Sequence, residues 1–217
     1  MAMPKEPTQI LQAIKKFITP LSPPVFSFEK SIRATPFKIL ISVLLSARTK
    51  DAVTEKAAAR LFASADTPKK MMRLTADQVG RLIYPVGFFR TKAKNILEIC
   101  SILVHSNKFP ATLDELLDLP GVGRKTANLV LTLAFDVPAI AIDTHVFRIA
   151  RRLGWASGNT AEAVELELQK IFPRPHWPQI NQVLVGFGQT ICRPINPKCK
   201  ECILKMTCPS STVTRNA

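Results

Sequence analysis

Four of the five cysteines fall within 17 residues, Cys192, Cys199, Cys202 and Cys208, separated by six, two and five residues. Such crowding far exceeds chance placement of five cysteines in 217 residues, and in a reducing compartment it points to a metal centre rather than disulfides. Structural zinc sites usually pair two short knuckles, whereas only Cys199 and Cys202 form one here. An iron-sulfur cube presents its irons at separate corners and accepts uneven loops between ligands. Spacing therefore leaves three readings open: a cluster, a zinc staple, or unrelated thiols. Arg193, Lys198, Lys200 and Lys205, against Glu201 alone, make the same loop a candidate basic surface. Cys100, in helical register with Ile96, reads as an inert core thiol.

A second group of reactive residues surrounds Leu119-Pro120-Gly121-Val122-Gly123. Pro120 stops one helix, and two glycines spaced by one residue permit a tight turn whose backbone can approach another surface closely. Amides at such a turn, and at the N-terminus of the helix that follows, form a phosphate site without side-chain charge. Lys125 lies in the first turn of that helix, beside Arg124. Its ordinary role is a phosphate contact. An uncharged lysine can also attack a sugar carbon to form a Schiff base, provided burial or a nearby base removes its proton, because at its reference pKa of ~10.4 almost all of it is ammonium. Asp143, in AIDTHVFRIARR, precedes a helix and serves as an N-cap or as that base. His145 reads as structural.

The elements that must position these groups are helical. Seventeen prolines punctuate stretches of Ala, Leu, Ile, Lys and Glu, and there are only eight glycines. Ala127, Val130, Leu131 and Ala134 form one apolar stripe at helical spacing, and Val146, Ile149, Ala150 and Leu153 another. Further periodic segments run over about 8–17, 36–47, 52–63, 76–82, 91–104, 112–117, 161–171 and 179–191, some ten helices in all. The strand-like alternation at 137–142 contains a proline and has no partner, so it is assigned to a crossing loop. Arg148, Arg151 and Arg152 form a basic stripe opposite the apolar face of their helix, and the tail after Cys208 is expected to fray. The fold class is all-α.

Thirty Lys and Arg against sixteen Asp and Glu leave a net charge of +14, which calls for a polyanionic partner. An anionic membrane surface fits the charge but explains neither the glycine turn nor the cysteines. The best apolar run, 37–47, is shorter than the ~20 residues that cross a bilayer and includes Lys38. The N-terminus lacks the apolar core of a secretion signal, so a cytoplasmic, nucleoid-associated location is expected.

In this order and spacing, LPGVGRKTANLVL, AIDTHVFRIARR and the four cysteines resemble the endonuclease III family, base-excision repair glycosylases of the helix-hairpin-helix superfamily. The resemblance runs from about Thr35 to Cys208. It implies two lobes: a six-helix barrel at about 27–137, with the helix-hairpin-helix at 114–134, and a discontinuous lobe of 1–26 and 138–217. It further implies a DNA site in the groove between them. Carried over by position, Lys125 is the Schiff-base nucleophile and Asp143 the catalytic carboxylate. Cys192, Cys199, Cys202 and Cys208 ligate a 4Fe-4S cluster in a loop at 192–208. Leu119, Gly121, Val122, Gly123 and Arg124 contact DNA through the hairpin, with Lys198 and Lys200 from the cysteine loop.

The family flips a damaged pyrimidine out of the duplex and fills the gap from two loops, here Ser46-Ala47-Arg48-Thr49 and Gly87-Phe88-Phe89-Arg90. Many members carry glutamine where Arg48 stands, and often leucine where Phe88 stands, so the opposite-base preference is open. Arg48, Phe88 and Arg90 are the expected contacts. The implied activity is removal of oxidised pyrimidines from double-stranded DNA, with nicking at abasic sites, by a monomer. The rivals are a mismatch-directed thymine, uracil or adenine glycosylase of the same superfamily, and a non-catalytic helix-hairpin-helix module with a zinc staple. Mismatch enzymes usually have tyrosine or serine where Lys125 stands, and the adenine-removing type carries a further C-terminal domain for which 217 residues leave no room.

Overall fold

A computed structural model describes residues 6–32 and 35–213. Among them are twelve α-helices and no strand. In chain order they are α1 (Pro7–Ile18), α2 (Pro24–Ile32), α3 (Pro36–Ser46), α4 (Asp51–Ser64), α5 (Pro68–Met71), α6 (Ala76–Ile83), α7 (Phe89–Ser106), α8 (Leu113–Leu117), α9 (Arg124–Phe135), α10 (Thr144–Arg152), α11 (Ala161–Ile171) and α12 (Trp177–Thr190). The all-α reading stands. The two helices beyond the expected ten are α2 and α5. The second is a single turn, started by Pro68 and capped by the Thr67 hydroxyl, and is too short to show a period. Residues 137–143 form an irregular crossing segment, in line with the expectation. The last four residues of the tail lie outside the described chain.

Two compact units result, one of residues 28–137 and one combining the chain up to 27 with that from 138 onward; the boundary falls inside α2. The 28–137 unit is organised around α3, in which Phe37 and every residue from Ile39 to Leu45 are buried. The apolar run is thus a helix buried on all sides. Around it pack Leu61 of α4, Ile83 of α6, Ile96 and Ile99 of α7, Leu116 of α8, and Ala127 and Val130 of α9. The other unit buries Leu11 and Ile14 of α1, Val146 and Ile149 of α10, Val164 and Leu168 of α11, and Ile180, Leu184 and Phe187 of α12. Each fully buried aliphatic side chain contributes about 1.5–3 kcal/mol relative to exposure, which is how short helices with few local bonds are held.

Candidate DNA-repair site and cysteine pocket

The glycine turn is built from both sides. Thr112 and Glu115 form a capping box that starts α8. Leu119 and Val122 are buried in the core of the 28–137 unit. Their amides are also spent inside the turn, Leu119 N–H on the Leu116 carbonyl and Val122 N–H on the Leu119 carbonyl. What the turn presents outward is therefore the exposed backbone of Gly121 and Gly123. Gly121 has φ +75°, and a Cβ there would lie 2.2 Å from the Asn95 amide nitrogen of α7. Glycine is required by both conformation and space. At Gly123 a Cβ would meet nothing within 4 Å. Lys125 follows in the first turn of α9, partly buried.

The two loops read as gap-filling are neighbours in the 28–137 unit. Gly87 N–H donates to Thr49 Oγ1 at 3.1 Å, and a Cβ on Gly87 would lie 2.7 Å from the Arg48 carbonyl oxygen. Arg48 and Phe88 both have positive φ, 54° and 57°. The Arg48 guanidinium lies over the Phe88 ring at 5.5 Å, and Arg90 over Phe89 at 5.3 Å. Phe88 remains 62% exposed, a large apolar ring held out to solvent by a strained backbone.

One residue beside these loops escapes a search for exposed basic groups. Lys92 of α7 is only 7% exposed. Its ammonium donates to the Leu45 carbonyl at 2.9 Å and the Ala47 carbonyl at 2.6 Å, closing the C-terminal end of α3 where the 46–49 loop departs. Burial first, and the charge of Lys125 second, lower its pKa to about 8. The available signal is register: Lys92 stands four, seven and eleven residues before the buried Ile96, Ile99 and Leu103.

In the other unit, Asp143 caps α10. Its Oδ1 accepts from His145 N–H at 2.9 Å and Val146 N–H at 2.8 Å, so one carboxylate oxygen performs the cap while the second takes part in neither bond. The basic stripe of α10 does more than face solvent. Arg148 donates to the Cys192 carbonyl at 2.9 Å, and Arg152 donates to the carbonyls of Arg193 at 2.7 Å and Pro194 at 3.1 Å. Two of its three arginines thus fasten the cysteine loop, leaving Arg151 exposed with its guanidinium over Phe147.

Cys192, Cys199, Cys202 and Cys208 line one pocket together with Arg152, Leu153, Phe187, Ile191 and Leu204. Burial raises the Cys202 thiol to about 11 and also raises Cys208, with the neighbouring sulfurs adding to both. Among the described residues no three His, Cys, Asp or Glu side chains converge as they would around a single metal ion. Four thiols lining one pocket are a donor set suited to a metal centre. Lys198 on the same loop pairs with Glu201 at 3.1 Å, while Lys200 is exposed. Cys100 is fully buried and its thiol is raised by burial to about 12, consistent with an inert core residue. No helix among the described residues is long and apolar enough to cross a membrane.

Comparison with known proteins agrees with these features. Residues 41–174 match the HhH-GPD superfamily of base excision DNA repair proteins. Endonuclease III of Thermotoga maritima is 48% identical over 175 residues, covering 80% of this chain and 82% of that protein. Animal and plant relatives at 41–43% identity are longer, and the chain spans 48–64% of their length. A non-covalent endonuclease III–DNA complex superposes with a TM-score of 0.85 at 34% identity, covering 97% of both chains. A trapped covalent endonuclease III–DNA intermediate does so with a TM-score of 0.78 at 39% identity, covering 82% of this chain and 84% of that one. Given a helix-hairpin-helix followed by lysine, an aspartate-capped helix, a four-cysteine pocket and these similarities, the chain belongs to the endonuclease III family within the HhH-GPD superfamily.

Proposed function

We propose that this protein is a base-excision repair DNA glycosylase with AP lyase activity, acting in the cytoplasm as a monomer on duplex DNA that carries oxidised pyrimidines or abasic sites. The observation that carries the reading is the place of Lys125, in the first turn of α9 behind the exposed Gly121 and Gly123 backbone. A covalent DNA intermediate of a 39% identical relative supports it.

The turn's glycine amides and the positive end of α9 receive a phosphate and hold the strand. Flipping the damaged nucleotide costs a few kcal/mol, least where pairing is already impaired. Arg48 and Phe88 fill the vacated space, a role supported by the exposure of Phe88 beneath the Arg48 guanidinium. Lys125 Nζ then attacks C1′ as the glycosidic bond breaks, and the base leaves with the bonding electron pair and takes up a proton. Asp143 accepts the proton lost by the lysine and stabilises positive charge developing on the sugar. Opening of the sugar ring gives an imine between Lys125 and C1′. Loss of a C2′ proton then expels the 3′ oxygen with its electron pair, nicking the strand 3′ to the lesion.

The pocket of Cys192, Cys199, Cys202 and Cys208 suits a 4Fe-4S cluster, which when bound supplies a structural staple for the basic loop rather than a hydrolytic centre. Lysine at 125, rather than tyrosine or serine, argues against the mismatch-directed rivals. Borohydride added during reaction with a duplex bearing an oxidised pyrimidine or abasic site should trap a covalent protein–DNA adduct, absent from K125A. An adduct that persists in K125A would overturn the nucleophile.

A further inference from the structure

The two loops assigned to the vacated space are both tight turns, and each places a large side chain where such turns favour glycine. Thr49 N–H donates to the Ser46 carbonyl at 3.0 Å and Phe89 N–H to the Val86 carbonyl at 3.1 Å, so Arg48 and Phe88 each occupy the third position of a four-residue turn. Ala47, with φ −58° and ψ 119°, and Arg48, with φ 54°, fit a type II turn, whose third residue is ordinarily glycine or asparagine. Phe88 is left-handed as well, at φ 57° and ψ 33°. A bulky side chain on such backbone is strained and persists only where its surroundings hold it. Here the turns brace each other. Gly87 N–H donates to Thr49 Oγ1, a Cβ on Gly87 would meet the Arg48 carbonyl, and Lys92 holds the Ala47 carbonyl.

These two corners bring their side chains together, the Arg48 guanidinium over the exposed Phe88 ring at 5.5 Å. Glutamine and leucine, which many members of the family carry at these positions, supply neither a cation nor a ring face. A guanidinium is also a donor at every nitrogen and has no acceptor, whereas an amide has both. Excision of an oxidised pyrimidine leaves a purine without its partner. Beside the N7 acceptor, guanine presents a carbonyl acceptor and adenine an amino donor, so arginine matches the first and an amide the second.

We propose that Arg48 and Phe88 form one preassembled wedge, in which the ring stacks in the vacated space and aims the guanidinium, and that Arg48 is the specificity-determining residue that favours guanine over adenine opposite the lesion. The inference rests on the proposed glycosylase and lyase reading and deepens it. Arg48 selects through hydrogen bonds to the purine left behind, and Phe88 acts on that choice only through Arg48.

The test is fluorescence anisotropy of the full-length protein, at one fixed salt concentration, on two duplexes carrying tetrahydrofuran, an uncleavable abasic analogue, opposite guanine or adenine. The wild type should bind the guanine duplex roughly tenfold more tightly, the discrimination expected of a bidentate contact. R48Q should bring the two affinities within about twofold or invert their order, because its amide suits adenine. F88L should weaken binding to both duplexes and also lower the guanine preference, since the guanidinium loses the ring that aims it; in the R48Q background it should leave the ratio alone. Both side chains are exposed, so these variants keep the fold. A guanine-to-adenine ratio that R48Q leaves at the wild-type value would overturn the inference, and so would a ratio that F88L does not change. Either result leaves the lyase reading standing, because that reading is tested by borohydride trapping on an abasic duplex, where a wild type that forms no adduct overturns it.

Discussion

Gly121 of the turn lies directly against Asn95 of α7, so close that a Cβ would approach the Asn95 amide nitrogen to 2.2 Å. The hairpin turn is therefore seated on the long helix that also carries Lys92, and the space between them is sized for hydrogen. Gly121→Ala adds a positive-φ penalty of about 1 kcal/mol to whatever Asn95 must yield. A stability loss of about 1–2 kcal/mol in denaturant unfolding is expected, with weaker DNA binding. Gly123→Ala, with φ −95° and open space around it, should keep its stability. If Gly123→Ala nonetheless weakens binding to a lesion duplex, the loss reports close approach of the phosphate backbone. Equal stability of both variants would contradict the seating.

Asp143 performs its cap through Oδ1 alone, and asparagine offers the same oxygen. Asp143→Asn should therefore unfold within about 0.5 kcal/mol of the wild type, while base release in single-turnover assays falls roughly 100-fold or more for want of the charge. Asp143→Ala should lose the same activity and about 1 kcal/mol of stability besides. An active Asp143→Asn enzyme would confine this residue to capping.

The cysteine pocket makes a compositional prediction. Purified protein should be brown, with about four iron and four sulfide per chain and no stoichiometric zinc. Cys199→Ser should lower iron content and cut the melting temperature, because the loop held by Arg148 and Arg152 then loses its internal staple. One tightly bound zinc per chain would replace the cluster with a zinc site.

Glu115 links the start of the hairpin to acid stability. It receives the Lys108 ammonium at 2.7 Å, the amides of Ala111 at 3.0 Å and Thr112 at 3.1 Å, and the Thr112 hydroxyl. The Lys108 hydrogen bond first, then the backbone and hydroxyl donors, lower its carboxyl from 4.5 to about 2. A depressed carboxyl contributes stability that is complete above the unfolded value and is lost as pH falls through the folded one. Urea midpoints of the wild type should therefore decline between about pH 4.5 and 2 more steeply than those of Glu115→Gln. Parallel curves would remove Glu115 from the acid response.

Much of this protein can be read along the chain because its signals are local. Helical periodicity depends on residues three and four apart, which is why α9 and α10 are legible from their apolar stripes, and α5, a single turn, is not. The Gly-x-Gly turn, the capping Asp143 and the spacing of the four cysteines are likewise properties of short segments. Partners are another matter. That Arg148 binds a carbonyl 44 residues away, that Arg48 lies over Phe88, and that Lys92 bonds the carbonyls of Leu45 and Ala47 all depend on which groups packing brings within about 3–6 Å. A basic stripe on α10 and a lysine in the apolar register of α7 look alike in composition to any solvated charge. Their meaning comes from desolvation and from the carbonyls they meet, and those are set by how helices distant in the chain pack together.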